Sequence, residues 1–442
     1  MLDLLTMKKF FYLVPVVAGF FFGCKKDKKG PIDPPTGLYL QVTKGNNQAD
    51  TVGNQLKDSI IVKVANGGTA MAGYTVQFKR SGCQDQVVTE ATTSSTGQAS
   101  FSWYLSGQTG AQRLSIILLD NNRNKVDSTS AAATGIAPAS GWHRGGCLQN
   151  FPVNHVAALS SGRILASVNE TNYPYYSDDN ALSWHPLTTF PNTHFISKII
   201  STSAGTFLAT QNDGIFLSGD NGQSWTNISS GIWNVQDFSD MNYTANGDLI
   251  VTNASGLFIS SDNGQNWSED DYGLPMGAST YPVELPNGSL LAIGSDNSAY
   301  MLPVHTSTWQ NIGAFGNYIL SNVESFYVDD KGALFVSTPH NAPDGVANIY
   351  ESADGGQSWS PVFKQTVLGT FISYPNIDNI SKINGVYYFA YAGIGLYQTN
   401  NFDTYNTTTY QLGNIGVLSY TVSKSSTLVI GSPGFGIYYK VP

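Results

Sequence analysis

The stretch SEDDYGLPM, residues 268–276, sets Glu269, Asp270 and Asp271 side by side, and TPHNAPDGVAN (338–348) adds His340 and Asp344. Two carboxylates held about 5–10 Å apart can cleave a glycosidic bond, one protonating the leaving oxygen while the other acts as base or nucleophile. Glu269, Asp270, Asp271 and Asp344 are therefore the candidate catalytic groups of a glycoside hydrolase or polysaccharide lyase; a solvated acidic loop is the competing reading. Other chemistries lack residues at the necessary spacing. His143, His155, His185, His194, His305 and His340 are scattered without ligand spacing, so no metal site is expected. No phosphate-binding loop, dinucleotide fingerprint or Gly-x-Ser-x-Gly elbow occurs, and no cofactor is expected. A formal charge of −9 suits a phosphate backbone poorly, which argues against nucleic acid as a partner.

A second carboxylate recurs. SGDNGQSW (218–225) returns as SSDNGQNW (260–267) and SADGGQSW (352–359), with a looser copy SDDNALSW at 177–184. These residue types suit a hairpin turn. Asp220 can accept from backbone N–H groups two residues on, Gly222 tolerates positive φ, and Ser218 can cap the same turn. Trp225 then starts an outer strand and packs its ring against a neighbouring sheet. The same roles fall to Ser260, Asp262, Gly264 and Trp267, and to Ser352, Asp354, Gly356 and Trp359. Ser177, Asp179 and Trp184 keep the pattern, but Ala181 replaces the glycine and implies strain. One such aspartate per unit, spread around a rim, cannot form a catalytic pair.

The phrase is also a ruler. Its final Trp and that residue's equivalents fall at Trp142, Trp184, Trp225, Trp267, Trp309, Trp359 and Tyr405, a period of roughly 40–50 residues with several short strands in each interval, as in a propeller. The last unit ends at GIYYKVP without its Trp strand, while GWHRGGCL (141–148) has a Trp without the strand before it. Each fills the other's gap, so 141–148 is expected to close the ring and remove its open edge.

Ser-x-Asp-x-Gly-x-x-Trp resembles the Asp-box, or BNR repeat, of sialidases, sortilin-type receptors, some xyloglucan hydrolases and the photosystem II assembly factor. The resemblance implies that the box is structural and lies away from the active face. Sialidases grip their substrate with three arginines, whereas residues 141–442 hold only Arg144 and Arg163, so that activity is not expected.

Upstream, residues 37–135 alternate apolar and polar residues in LYLQV, SIIVKV, YTVQF, ASFSWYL and RLSIILL, five strand candidates of a β-sandwich. The order of pieces resembles the invasin and intimin immunoglobulin-like repeats, which implies a stalk or spacer. Before it, Met7-Lys8-Lys9 and the apolar run 10–23 end in Gly23-Cys24. This is similar to a bacterial lipoprotein signal, although Phe21 and Phe22 depart from the usual pattern. The resemblance implies lipidation of Cys24 and anchoring to the outer membrane, on its surface or periplasmic face. Cys83 and Cys147 either bridge or remain separate thiols.

The expected architecture is thus all-β: signal peptide 1–23, tether 24–36, immunoglobulin-like sandwich 37–135, and a seven-bladed propeller over 141–442 closed by its N-terminal strand. Charged residues make up only 12% of the chain, against 45 Gly and 24 Tyr, which agrees with short strands and tight turns. The connections between units carry Phe190, Trp233, Tyr272, Tyr281, Phe315, Tyr318, Phe371 and Tyr374. Of these, Trp233, Tyr272, Tyr281, Tyr318 and Tyr374, with His340, are the candidate ligand-binding residues, since exposed rings on a rigid face suit stacking on sugars or gripping a peptide. The function read from the sequence is a monomeric, exported binding protein for a glycan or an extracellular protein, with a hydrolase or lyase, or an assembly or adhesion factor, as alternatives.

Overall fold

The computed structural model describes residues 37–80, 87–107, 109–145, 148, 151–169, 173–191, 196–235, 238, 240–275, 282–294, 296, 298–314, 325–338, 347–356, 358–365, 377–391, 395–402, 405–407, 412 and 415–442. The leader with Cys24, and Cys83, Cys147, Tyr281, Tyr318, Tyr374, His340 and Asp344, lie outside the described residues.

Two sheets form the first unit. Leu38–Lys44 pairs with Ile60–Asn66, which also pairs with Thr69–Ala70 and Gln98–Phe101. The second sheet runs in the order Gln48–Thr51, Lys125–Ile136, Gly110–Leu119, Thr75–Arg80 and Val87–Thr92. Leu40, Val62, Phe78, Trp103 and Ile116 fill the space between them, with Phe78 and Phe101 stacked at 4.9 Å. Four strands beyond the five legible ones appear, and Lys125–Ile136 shows why. Its buried face is Ala131, Ala133 and Gly135, small residues that give little hydrophobic alternation, and its partner Gln48–Thr51 runs parallel to it from far upstream.

Seven four-stranded antiparallel sheets follow among the described residues. The first comprises Val153–Ala158, Ile164–Val168, Tyr175–Ser177 and His185–Pro186; the second Ile196–Ser201, Thr206–Thr210, Gly214–Ser218 and Thr226–Asn227; the third Asp240–Tyr243, Leu249–Asn253, Gly256–Ser260 and Ser268–Glu269. The fourth to sixth repeat this order from Val283–Glu284, Ser325–Val328 and Ile377–Ile383. In the seventh, Ser419–Val422, Leu428–Ser432 and Gly436–Val441 are completed by Gly141–Arg144 from the other end of the chain, with Trp142 opposite Lys440 and Arg144 opposite Tyr438.

Second strands such as Thr206–Thr210 and Leu249–Asn253 are buried along their whole length, because sheets cover both their faces. Innermost strands meet their neighbours through side chains. Val156 N donates to Ser419 Oγ at 2.9 Å, joining the first sheet to the seventh, and Asn242 Nδ2 donates to Pro282 O at 3.0 Å, joining the third to the fourth. Between the fifth and sixth, Ile380 N donates to Ser325 Oγ at 3.1 Å.

Candidate functional site

The repeated aspartates are consumed by their own turns. Gly222 N donates to Ser218 Oγ at 2.7 Å, and that hydroxyl donates to Asp220 Oδ1 at 2.8 Å. Asp220 Oδ1 also accepts from Ser224 N at 2.9 Å, while Ser224 Oγ donates to Oδ2 at 2.6 Å. The carboxylate therefore engages the N–H four residues on rather than two, and closes a wider turn than the sequence implied. The turns at Ser260/Asp262/Gly264 and Ser352/Asp354/Gly356 repeat the arrangement. The bonds from Ser224 and Ser218 hold the Asp220 carboxyl down at about 2, so it stays ionised and gives up no proton near neutrality. Ala181 adopts φ +69° with its N–H on Ser177 Oγ at 2.9 Å; the fourth turn keeps its shape at the cost of a strained alanine.

The indole N–H groups are used in two ways. Trp267 Nε1 donates to Ile228 O at 2.6 Å and Trp309 Nε1 to Asp270 O at 2.7 Å, each reaching into the connection that leaves the preceding sheet. Trp184 and Trp359 instead bond their own turns, at Ala181 O and Gly356 O. Trp225 lies edge-on to Phe190 at 5.1 Å, and Phe190 is itself buried, a core residue rather than a binding ring.

Glu269, Asp270 and Asp271 divide into two situations. A Cβ on Gly256 would lie 2.7 Å from Asp271 Oδ2 and 3.4 Å from Glu269 Oε1, so both carboxylates converge over the start of one strand. Counted from the turn's Trp, they hold the places of Asn227 and Ser229 in the second sheet. There Ser229 Oγ accepts from Ile215 N at 2.7 Å and Asn227 Nδ2 donates to Asp213 O at 2.8 Å. The acids thus occupy scaffold positions of the repeat. Asp270 is half-buried, and burial with the neighbouring Asp271 charge raises its carboxyl above the usual range. Among the described residues no group of three or more His, Cys, Asp and Glu stands close enough to hold a metal ion.

Of the candidate binding rings, Trp233 and Tyr272 are strongly exposed, at 62% and 74%. They are held in different surroundings. Asn253 Nδ2 donates to Asn234 O at 2.7 Å, and Asn234 Nδ2 to Ser255 Oγ at 2.9 Å. Trp233 is thereby fixed beside the turn joining the second and third strands of the third sheet. Tyr272 O accepts from Trp309 N at 2.9 Å, where the outer strand of the fourth sheet begins. A ring not foreseen is Phe435, 48% exposed in the second-to-third-strand turn of the seventh sheet. Strand alternation puts that turn at the same end of the sheets as Trp233. An aromatic between glycines, GFG, was the sequence signal.

The innermost strands contribute a polar row that sequence spacing also left unnoticed. His155, Lys198 and Asp240 occupy equivalent positions, opposite Ser167, Ala209 and Thr252 of their second strands. Lys198 Nζ lies 2.7 Å from Asp240 Oδ1. Enclosure and the Lys198 charge hold the His155 imidazole down at about 3, against a weaker opposing bond to the Ser197 backbone. The row is a neutral histidine beside an ion pair, an arrangement that binds sheets together and supplies no general base near neutrality.

The sequence pattern of the DUF6242 beta propeller domain is matched over residues 148–368. Among solved structures, the fold is similar to YCF48 from Cyanidioschyzon merolae, at 10% identity and a TM-score of 0.50 over 68% of this chain and 98% of that one. It is also similar to the extracellular domain of the putative hybrid two-component system BT3049 from B. thetaiotaomicron, at 13% identity and a TM-score of 0.52 over 68% of this chain but only 42% of that one. YCF48 bound to D1 peptide gives 12% identity and a TM-score of 0.51 over 66% and 94%. No curated protein matches the sequence. These likenesses establish an all-β propeller fold.

Proposed function

Since the chain belongs to the family of the DUF6242 beta propeller domain, we propose that it is a non-catalytic binding protein. In this reading a seven-bladed ring carrying Asp-box turns follows an immunoglobulin-like spacer, and a lipid on Cys24 anchors the exported chain to an outer membrane. The partner is an extracellular polypeptide or a glycan, docked on the end of the sheets that bears Trp233. The observation that carries the reading is this exposed indole beside Asn234, whose backbone carbonyl is held by Asn253 and whose side-chain amide is held by Ser255. A rigid platform for a flat ring loses little entropy on binding. That YCF48 has been solved bound to D1 peptide supports a polypeptide.

A hydrolase or lyase is the second reading, favoured by the convergence of Glu269 and Asp271 over Gly256. Pull-down of surface proteins and glycan-array binding, each compared between the parent and Trp233→Ala, test the proposal. Loss of binding with no product released supports it. Unchanged binding overturns the assigned face, and reducing-end release abolished by Asp271→Asn establishes the hydrolase.

A further inference from the structure

A cleft of about 400 Å³ opens where the first unit meets the closing strand of the seventh sheet. Its walls come from both. Asn54 and Gln55 belong to the loop after Gln48–Thr51, Tyr104 follows Gln98–Phe101, and Trp142, Arg144 and Tyr438 belong to the seventh sheet. The two parts approach closely at Gly53, where a Cβ would stand 2.2 Å from Arg144 O. The cleft therefore exists only when both units are present.

Arg144 is its chemical centre. The guanidinium carbon lies 5.4 Å from the centre of the Tyr438 ring, so an aromatic neighbour steadies it while its N–H donors stay available. Unlike the ring's other arginine, which is held by Asp178 through two parallel bonds, the Arg144 guanidinium has no carboxylate or hydrogen-bond partner among the described residues. Its surroundings are not those of a general anion sink. Half-buried rings at Trp142 and Tyr104 and exposed side-chain amides at Asn54 and Gln55 border the same space. Aromatic faces stack on the C–H face of a sugar ring, and amides satisfy its hydroxyls. One unpaired guanidinium then selects for a carboxylate.

We propose that this cleft binds a carboxylate-bearing saccharide, a uronic acid unit in a chain, with Arg144 taking the carboxylate and Tyr104 and Trp142 flanking the sugar ring. The site lies at the outer edge of the seventh sheet, whereas Trp233 stands beside the third, and it does not rest on the docking function proposed there.

Calorimetric titration of the full chain with trigalacturonate, and with galactotriose as the neutral counterpart, tests it. Trigalacturonate is expected to bind at least tenfold more tightly than galactotriose. Arg144→Gln should lose at least tenfold in affinity for trigalacturonate and little for galactotriose, while its thermal melt stays at the parent value. Tyr104→Leu, which keeps the bulk of the wall, should weaken both sugars together, and serves as the second variant if Arg144→Gln does not fold. Equal affinity for the two sugars, unchanged binding by Arg144→Gln, no binding by the parent, or displacement of the sugar by a glutamate-rich peptide at equal concentration would each overturn the proposal.

Discussion

Lys198 Nζ stands 2.7 Å from Asp240 Oδ1 across the seam between the second and third sheets. Asp240 is almost fully buried while Lys198 keeps part of its surface in water, and no hydrogen bond is aligned at Asp240 Oδ1. Removing the acid strands a cation that retains access to solvent, so the full penalty of a buried orphan charge does not apply. Asp240→Ala is expected to cost about 1–2 kcal/mol in urea unfolding. A variant as stable as the parent would show the seam to be held by packing alone.

His155, on the innermost strand of the first sheet, makes the neighbouring seam with the second sheet sensitive to acid. Its pKa falls from 6.5 free to about 3 in place, so the folded state holds the neutral imidazole and the unfolded state takes up a proton first. Its contribution is present in full above 6.5 and is lost as pH falls from there towards 3. Unfolding midpoints measured between those limits should therefore fall with pH, and His155→Gln should flatten the slope. Parallel slopes for parent and variant would assign the acid sensitivity elsewhere.

The Ser218 hydroxyl links Gly222 N to Asp220 Oδ1. In Ser218→Ala the buried Gly222 N–H loses its acceptor, which should cost about 1–2 kcal/mol. The Asp220 carboxyl, lowered chiefly by Ser224 and then by Ser218, should rise from about 2 towards 3.8 without reaching it, as carbon-detected NMR titration would record. Because its folded pKa is depressed, the stabilisation from Asp220 is present above 3.8 and lost as pH falls towards 2. An Asp220 titration unmoved by the substitution would remove the hydroxyl from the account.

The four turns also differ in what a methyl group meets. At Gly222, φ is +85° and a Cβ would find Leu187 Cδ1 at 3.3 Å, a contact that side chain can relax. At Gly264, with the same φ, it would meet Ile228 Cδ1 at 2.4 Å and Ile228 Cβ at 2.9 Å. Gly222→Ala should therefore cost about 1 kcal/mol, the backbone strain alone, and Gly264→Ala about 2–4 kcal/mol through overpacking. Equal losses in thermal melts would mean that Ile228 yields freely. Ala181 is the natural precedent for the milder case.

How much of this was legible depended on periodicity. Trp184, Trp225, Trp267 and Trp359 repeat with their serines, aspartates and mostly glycines at fixed offsets, because every copy of the turn needs the same capping bonds and the same φ. The acids at 269–271 stood out by charge, yet alignment on Trp267 places Glu269 and Asp271 where Asn227 and Ser229 serve the scaffold. His155, Lys198 and Asp240 share one structural position but no residue type, so no motif could reveal them. The cleft at Arg144 joins residues far apart in the chain, and only tertiary contact assembles it.

Closure by the first strand gives the last test. Gly141–Arg144 lies antiparallel to Gly436–Val441, with His143 opposite Tyr439 and their rings 5.5 Å apart. Without it, the Gly436–Val441 strand would expose a full edge of unpaired backbone, and the partly covered ring of Trp142 would no longer pack against Leu428, Ile430 and Tyr438. An open edge of that length invites pairing with another chain. Deleting 141–148 is expected to lower the melting midpoint by at least about 5 °C and to produce concentration-dependent association in light scattering. The internal deletion joins residue 140 to residue 149 and keeps the first unit attached, and the shortened chain with residues 141–148 restored at the C-terminus, after Pro442 and a two-residue Asn-Gly turn, is the discriminating control. If that permuted chain recovers the melt and stays monomeric, the strand pairing itself closes the ring; if it does not, the packing of the native connection against the first unit, where Gly53 meets Arg144, carries the stability.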